Sequence, residues 1–207
     1  MSILRRYLHT MARRMRDTVQ QFPDWLVWES AVAPEICDEI IKACLELPSK
    51  NATTFRAGED PIHEDPNRKT QIRWVPKDDE HGWINQIFEN YAKEANEHFN
   101  MDLSYLPELQ FTEYKDIGYH YGWHHDIDWS NQHGTHRKIS LVLQLTDPEE
   151  YQGGDFKFKY IENPNPDTVK KRGTMIAFLS YQEHCVEPIL GGGRTSLVGW
   201  YRGPRFR

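Results

Sequence analysis

Apolar positions along this chain follow two periods, and the change from one to the other divides it in half. In APEICDEIIKACLELP, Ile36, Ile40, Ile41, Cys44 and Leu45 recur every three to four residues, as they would on one face of a helix. Pro34 suits the first turn of that helix and Pro48 ends it. The same period returns over Gly82–Asn100, through Trp83, Ile84, Ile87, Phe88, Tyr91, Ala95 and Phe99, and predicts a second helix. Between the two, SKNATTFRAGEDPIHEDPNRK is polar and contains Pro, so it predicts a long exposed loop. From Glu108 the period falls to two. ELQFTEY, RKISLVLQL, DFKFKY, GTMIAFL and RTSLVGWYR read as short strands separated by Gly, Pro, Asn and Asp clusters.

Helices first and strands afterwards predict an α+β fold with a jelly-roll barrel core, the helices buttressing one sheet. A chain of 207 residues fits a single domain, with residues 1–105 supplying helices and loop and 106–207 the barrel. The mouth of such a barrel is a common ligand site.

Composition narrows the function classes. The formal net charge is -6, against the basic field expected of a general nucleic-acid binder. Aromatic residues make up 13%, too many for a disordered chain. Cys37, Cys44 and Cys185 form no CxxC pair and leave one odd, which disfavours a disulfide framework and points to a reducing, cytoplasmic compartment. No apolar run approaches membrane-spanning length. The segment MSILRRYLHTMARRMRD has five Arg before its first acid, Asp17. It reads as an amphipathic helix on Leu4, Leu8, Met11, Met15 and Val19, or as a mitochondrial-type targeting segment.

The chemistry concentrates in YHYGWHHDID, residues 119–128. On an extended strand residues i and i+2 share a face, so His124 and Asp126 project together while His125 points away. HxD alone is common by chance, and two ligands hold a transition metal poorly. FLSYQEHCVEPILGGGRTSLVGW supplies the rest: His184, and ten residues later Arg194. On a strand Arg194, Ser196, Val198 and Trp200 share one face, and Arg holds a carboxylate bidentately. Two His and one carboxylate that leave positions open are the ligand set of non-haem Fe(II) oxygenases. A zinc hydrolase accepts the same ligands, but it gives the Arg no role. His120 and His124 have the spacing of a helical zinc pair, yet Gly118 and Gly122 oppose a helix there and no Glu follows His120. His133 and His136, in SNQHGTHR, read as loop residues, solvated or near substrate; His63 reads as a surface residue, and Cys185 as core.

These motifs resemble the 2-oxoglutarate and Fe(II)-dependent oxygenases, in the prolyl-4-hydroxylase-like branch with bacterial and phage members. The likeness begins at YKDIGYHYGWHHD and runs through RKISLVLQLTDPEEYQGGDFKF to HCVEPILGGGRTSLVGWYRGPRF. KTQIRWV and the helix ending in AKEAN are similar more loosely. The resemblance implies a double-stranded β-helix (jelly roll) flanked by helices. It makes His124, Asp126 and His184 the iron ligands. It makes Arg194 the partner of the distal carboxylate of 2-oxoglutarate, with Ser196 nearby. Tyr114 and Gln144 then stand where relatives contact that co-substrate, and Tyr121 where relatives have a tyrosine close to the metal. The implied reaction is oxidative decarboxylation of 2-oxoglutarate to succinate and CO₂ with O₂, coupled to hydroxylation of an unactivated C–H bond. Ascorbate fits as an accessory reductant. A prolyl residue of a protein or peptide is the implied substrate, with a small molecule as another choice. The segments expected to touch it are IDWSNQHGTHR and the long N-terminal loop.

Two readings compete with the hydroxylase. A nucleic-acid demethylase would use the same chemistry, and the basic tail RGPRFR favours it, whereas the acidic balance and the missing Asn-x-Thr-containing arginine motif after the distal His do not. A metal-free jelly-roll binding protein would have no need to gather His124, Asp126, His184 and Arg194.

Overall fold

The structure, a computed structural model, describes residues 23–52, 66–129 and 134–206. The Arg-rich N-terminal segment, most of the long polar loop, His63 and His133 lie outside the described residues. Strand β1 (Trp25–Trp28) leads into helix α1 (Pro34–Leu45), with Pro34 in its first turn as the sequence predicts. The buried stripe of α1 is Cys37, Ile40 and Cys44; Ile36 and Leu45, expected on that face, lie at its exposed margin. Short strands β2 (Lys50–Asn51) and β3 (Arg68–Lys69) then occupy the two ends of the segment that reads as one exposed loop. Strand pairing corrects that reading at both ends: β2 bonds to β4 (Gln71–Val75) and β3 to a strand of the second sheet.

Helix α2 (Gly82–Phe99) buries Ile84, Phe88, Ala92, Ala95 and Phe99, and leaves Trp83 exposed. It stops at Asn100, whose left-handed backbone (φ 49°) is one that Asn tolerates better than most residues. The rest is mainly strand: β5 (Ser104–Tyr114), β6 (His120–His124), β7 (Thr135–Gln144), β8 (Tyr151–Gly153) and β9 (Phe156–Phe158), a short helix α3 (Pro166–Val169), then β10 (Met175–Leu179), β11 (His184–Val186), β12 (Ile189–Gly192) and β13 (Arg194–Pro204). The major antiparallel sheet has the order β1-β10-β7-β13-β5-β4-β2, so its two edges come from the N-terminal half. The minor sheet is β3-β6-β11-β9, and β12-β8 forms a separate ribbon. This is the predicted α+β jelly roll.

Period-two alternation explains how one sheet serves two purposes. Leu109 and Phe111, Ile139, Leu141 and Leu143, and Leu197 and Tyr201 share one core cluster with α1 and α2. The alternate residues on the same strands, among them Tyr114, Val142 and Val198, cluster instead with the minor sheet. Helix α2 sits so close to β13 that a Cβ on Gly199 would lie 2.5 Å from Phe88 Cδ1 and 2.8 Å from Leu109 Cδ2. His136 belongs to β7 and is buried, with Nδ1 accepting from the Phe206 N–H, so its placement in a polar loop is corrected. Among the described residues no helix is long and apolar enough to cross a membrane.

Candidate active site

Strand β6 ends at His124, and the chain then bends through an exposed His125 into buried Asp126. The amides of Asp126 and Ile127 both donate to the Ser180 carbonyl (3.0 and 3.1 Å), which holds the carboxylate over the barrel. Antiparallel pairing of β11 with β6 sets His184 directly opposite His124, with ring centroids 4.2 Å apart. One ligand atom from each of His124, Asp126 and His184 thus falls within 4.8 Å of the others. Each imidazole Nε2 stands 3.7 Å from a carboxylate oxygen of Asp126. That is too long for a hydrogen bond, and short enough for both atoms to share an ion about 2.1 Å from each.

The surroundings fix the protonation pattern a metal needs. His124 Nδ1 lies 2.8 Å from the Gly122 carbonyl, and His184 Nδ1 lies 2.9 Å from the Gln182 carbonyl. A carbonyl can only accept, so each Nδ1 carries a proton and Nε2 is the ring atom turned to the site. Burial, reinforced by His184, holds His124 well below the ordinary imidazole range, which keeps it neutral. Burial pushes the Asp126 carboxyl up, but His184, His124 and Arg137, with the Ser140 hydroxyl, pull it net below the ordinary range. Ser140 Oγ donates to Asp126 Oδ2 at 2.6 Å and shares a further hydrogen bond with Ser180 Oγ (2.8 Å). Two imidazoles that turn Nε2 to the site and an oriented carboxylate on one side of a shared point fit a divalent transition metal.

These groups open on a cavity whose floor is the inward ladder of β13 and β5. Arg194 pairs with Tyr114, Ser196 with Thr112, and Val198 with Gln110, and all six line the cavity. Arg194 is 4% exposed, and its Nη1 finds no hydrogen-bond partner among the described residues. Its guanidinium carbon lies 5.1 Å from the centre of the Tyr114 ring. An orphaned buried guanidinium is costly unless an anion completes it, so the cavity fits a carboxylate ligand as well as a metal. Tyr121 lies in the same cavity, its ring stacked on His124 at 3.4 Å. Gln144 stands apart from the cavity-lining residues; its amide donates to the Thr146 carbonyl and the Tyr151 hydroxyl.

The barrel segment has known relatives. Residues 109–202 match the model of the 2OG-Fe(II) oxygenase superfamily. That segment of the barrel is similar to a 2OG-Fe(II) oxygenase domain. Curated relatives of the chain include PKHD-type hydroxylases of Synechococcus sp. (strain CC9902), 36% identical over 85 residues, and of Maricaulis maris (strain MCS10), 31% identical over 99 residues. Those alignments cover 41% and 47% of this chain, and the chain spans just 37% and 42% of the two relatives. Among solved structures, the viral collagen prolyl hydroxylase of Paramecium bursaria Chlorella virus-1, in a 2OG complex, is 21% identical with a TM-score of 0.67, covering 89% of this chain and 99% of that one. A Pseudomonas putida prolyl-4-hydroxylase is 21% identical with a TM-score of 0.64, covering 91% and 97%. At these identities the structural likeness establishes the fold.

Two contributors to this site escape a reading of the sequence. Ser140 has a visible signal, as a hydroxyl at an inward position of the apolar run ISLVLQL. Arg68 has none, because the pairing of β3 with β6 that brings it into the cavity is long-range.

Proposed function

We propose that this chain is a 2-oxoglutarate- and Fe(II)-dependent dioxygenase that hydroxylates a prolyl residue of a protein or peptide and releases succinate and CO₂. The observation that carries this reading is Arg194, buried and short of a partner, in the same cavity as three converging metal-ligand atoms. His124, Asp126 and His184 would hold the iron, and Arg194 the distal carboxylate of 2-oxoglutarate with Tyr114 and Ser196 beside it. The iron, when bound, supplies the activation of O₂ that 2-oxoglutarate decarboxylation drives. The chain's own task is placement. Arg194 fixes one end of the co-substrate and so aims its other end, while Val142, Phe156, Val186 and Val198 make the walls apolar and exclude water. Trp200, which lines the cavity, is faced by the Arg137 guanidinium at 3.8 Å and by Trp74 at 6.0 Å, an aromatic and cationic group that suits a prolyl ring with its peptide carbonyls. The names of the relatives and structural neighbours, PKHD-type and prolyl hydroxylases, support the same substrate class.

The test is an anaerobic titration of iron-loaded protein with 2-oxoglutarate, followed by the visible charge-transfer band of the chelated complex. The band is expected in wild type and His125→Ala, absent in His184→Ala, and shifted to far higher 2-oxoglutarate in Arg194→Met. No band in folded, iron-replete wild type overturns the oxygenase reading. Mass spectrometry of prolyl peptides then tests the substrate: oxygen incorporation should match succinate formation, and succinate released without hydroxylated proline would reject the prolyl class.

A further inference from the structure

The cavity contains a second guanidinium that the metal centre does not call for. Arg68 pairs with Tyr121 across β3 and β6, and its guanidinium carbon lies 4.1 Å from the centre of the Tyr121 ring. That ring stacks in turn on His124, 3.4 Å between centroids and 10° from parallel. Arg68 Nε donates to Thr70 Oγ1 at 3.0 Å, and its Nη2 to Gln110 Oε1 at 2.8 Å. Every one of these contacts is to a neutral group. They fix the direction of the guanidinium and, among the described residues, leave its charge without an anionic partner. Other partly buried arginines nearby are paired: Arg73 with Glu113, and Arg137 and Arg202 with Glu108. Among the described residues the one carboxylate that lines the cavity is Asp126, already engaged by His124, His184 and Ser140.

We propose that Arg68 binds the carboxylate adjacent to the keto group of the 2-oxo acid, so that the co-substrate is gripped at both ends by Arg194 and Arg68. This rests on the co-substrate reading given above. Register supports the placement. Arg194 marks one end of the β13–β5 ladder, at Tyr114, and Ser140, which orients Asp126, pairs with Trp200 near the other. Gln110, the partner of Arg68, sits opposite Val198, between those two levels. Gln110 and Arg194 stand two ladder steps apart, about 14 Å along the strand, and a five-carbon dicarboxylate takes up the gap left between two long arginine side chains that enter the one cavity from those levels. Charge agrees as well: two guanidiniums without anionic partners among the described residues meet a ligand carrying two negative charges.

Truncated ligands separate the two ends. Protein loaded with Mn(II) is titrated calorimetrically, by competition where binding is weak, with 2-oxoglutarate, with 2-oxopentanoate, which lacks the distal carboxylate, and with 4-oxopentanoate, which lacks the carboxylate beside the keto group. Arg68→Gln should weaken 2-oxoglutarate and 2-oxopentanoate roughly 10- to 100-fold and leave 4-oxopentanoate unchanged. Arg194→Gln should weaken 2-oxoglutarate and 4-oxopentanoate and leave 2-oxopentanoate unchanged. Arg68→Lys, which keeps the charge, should recover part of the loss, and circular dichroism checks that each variant folds. Mn(II) affinity is measured in the same variants. If it falls as far as the 2-oxo acid affinity, Arg68 acts through the Tyr121–His124 stack and the proposal is overturned. Unchanged 2-oxoglutarate affinity in Arg68→Gln also overturns it, and would leave a carboxylate on the hydroxylated substrate as the anion that Arg68 meets. Wild type that binds none of the three would fail the co-substrate reading itself, an outcome distinct from either of these.

Discussion

Replacing Ser140 with Ala tests whether the metal centre is oriented from behind. The hydroxyl is fully buried and donates to a buried carboxylate at 2.6 Å. A hydrogen bond to a charged group contributes about 1.5–3 kcal/mol, and water cannot replace this donor. Partners one shell behind a metal ligand typically change metal affinity by about 10–100-fold, which at 1.36 kcal/mol per tenfold is the same energy seen from the metal's side. Ser140→Ala should therefore lower the stability of the apo-protein by about 1.5–3 kcal/mol in urea melts at pH 7. It should also weaken Fe(II) or Mn(II) binding about 10–100-fold in chelator competition. Two companions isolate the cause. Ser140→Thr keeps a hydroxyl and should recover most of the affinity. Ser180→Ala removes the relay to Ser140 but leaves both the Ser140 donor and the Ser180 carbonyl, and should cost under about 1 kcal/mol. Metal affinity in Ser140→Ala within twofold of wild type would refute the argument, because Asp126 would then be held by its backbone alone.

Other consequences can be checked without metal. Gly199→Ala puts a methyl group 2.5 Å from Phe88 and should cost about 1–3 kcal/mol by urea denaturation, with Phe88→Leu in the same chain giving part of it back. Burial pushes the Cys44 thiol up to about 12 from an ordinary 9.0. An acid whose folded value is raised gives stability that is intact below the unfolded value and lost above it. Melts should therefore show a stability loss that sets in above about pH 9 and is reduced in Cys44→Ala, and iodoacetamide should label Cys44 at pH 8 only after unfolding.

Where period and function coincide, the sequence was easy to read. Helix α2 begins and ends where Trp83 to Phe99 predict, and the ladder Arg194, Ser196, Val198, Trp200 lines the cavity as strand alternation requires. The minor sheet was legible only through its chemistry. Strands β6 and β11 are too short to establish a period, and only the chemistry of His124 and His184 marks them in the sequence. Strand β1 was missed for the same reason: WLVW shows no alternation, and its burial comes from pairing with β10. His136 was misread because its polar neighbours outweighed the strand that begins at Thr135. Arg68 could not be found at all, since its value depends on a pairing partner more than fifty positions away.

The order of strands in the major sheet also bears on how the chain can be cut and how it folds. The matched segment begins at residue 109, as though the chemistry were portable. Yet β1 caps one edge of that sheet and β4 with β2 the other, while α1 and α2 cover its apolar back. A fragment that starts near residue 106 would bare β10 and β5 as open templates and expose Leu109, Leu141 and Leu197 to solvent, the recipe for strand-to-strand aggregation. On the ribosome the N-terminal strands emerge long before the partners they edge, so they must wait for β10 and β5 before they can pair. The major sheet takes its edge strands from the first-made part of the chain and its middle from the last-made part, so neither completes it without the other.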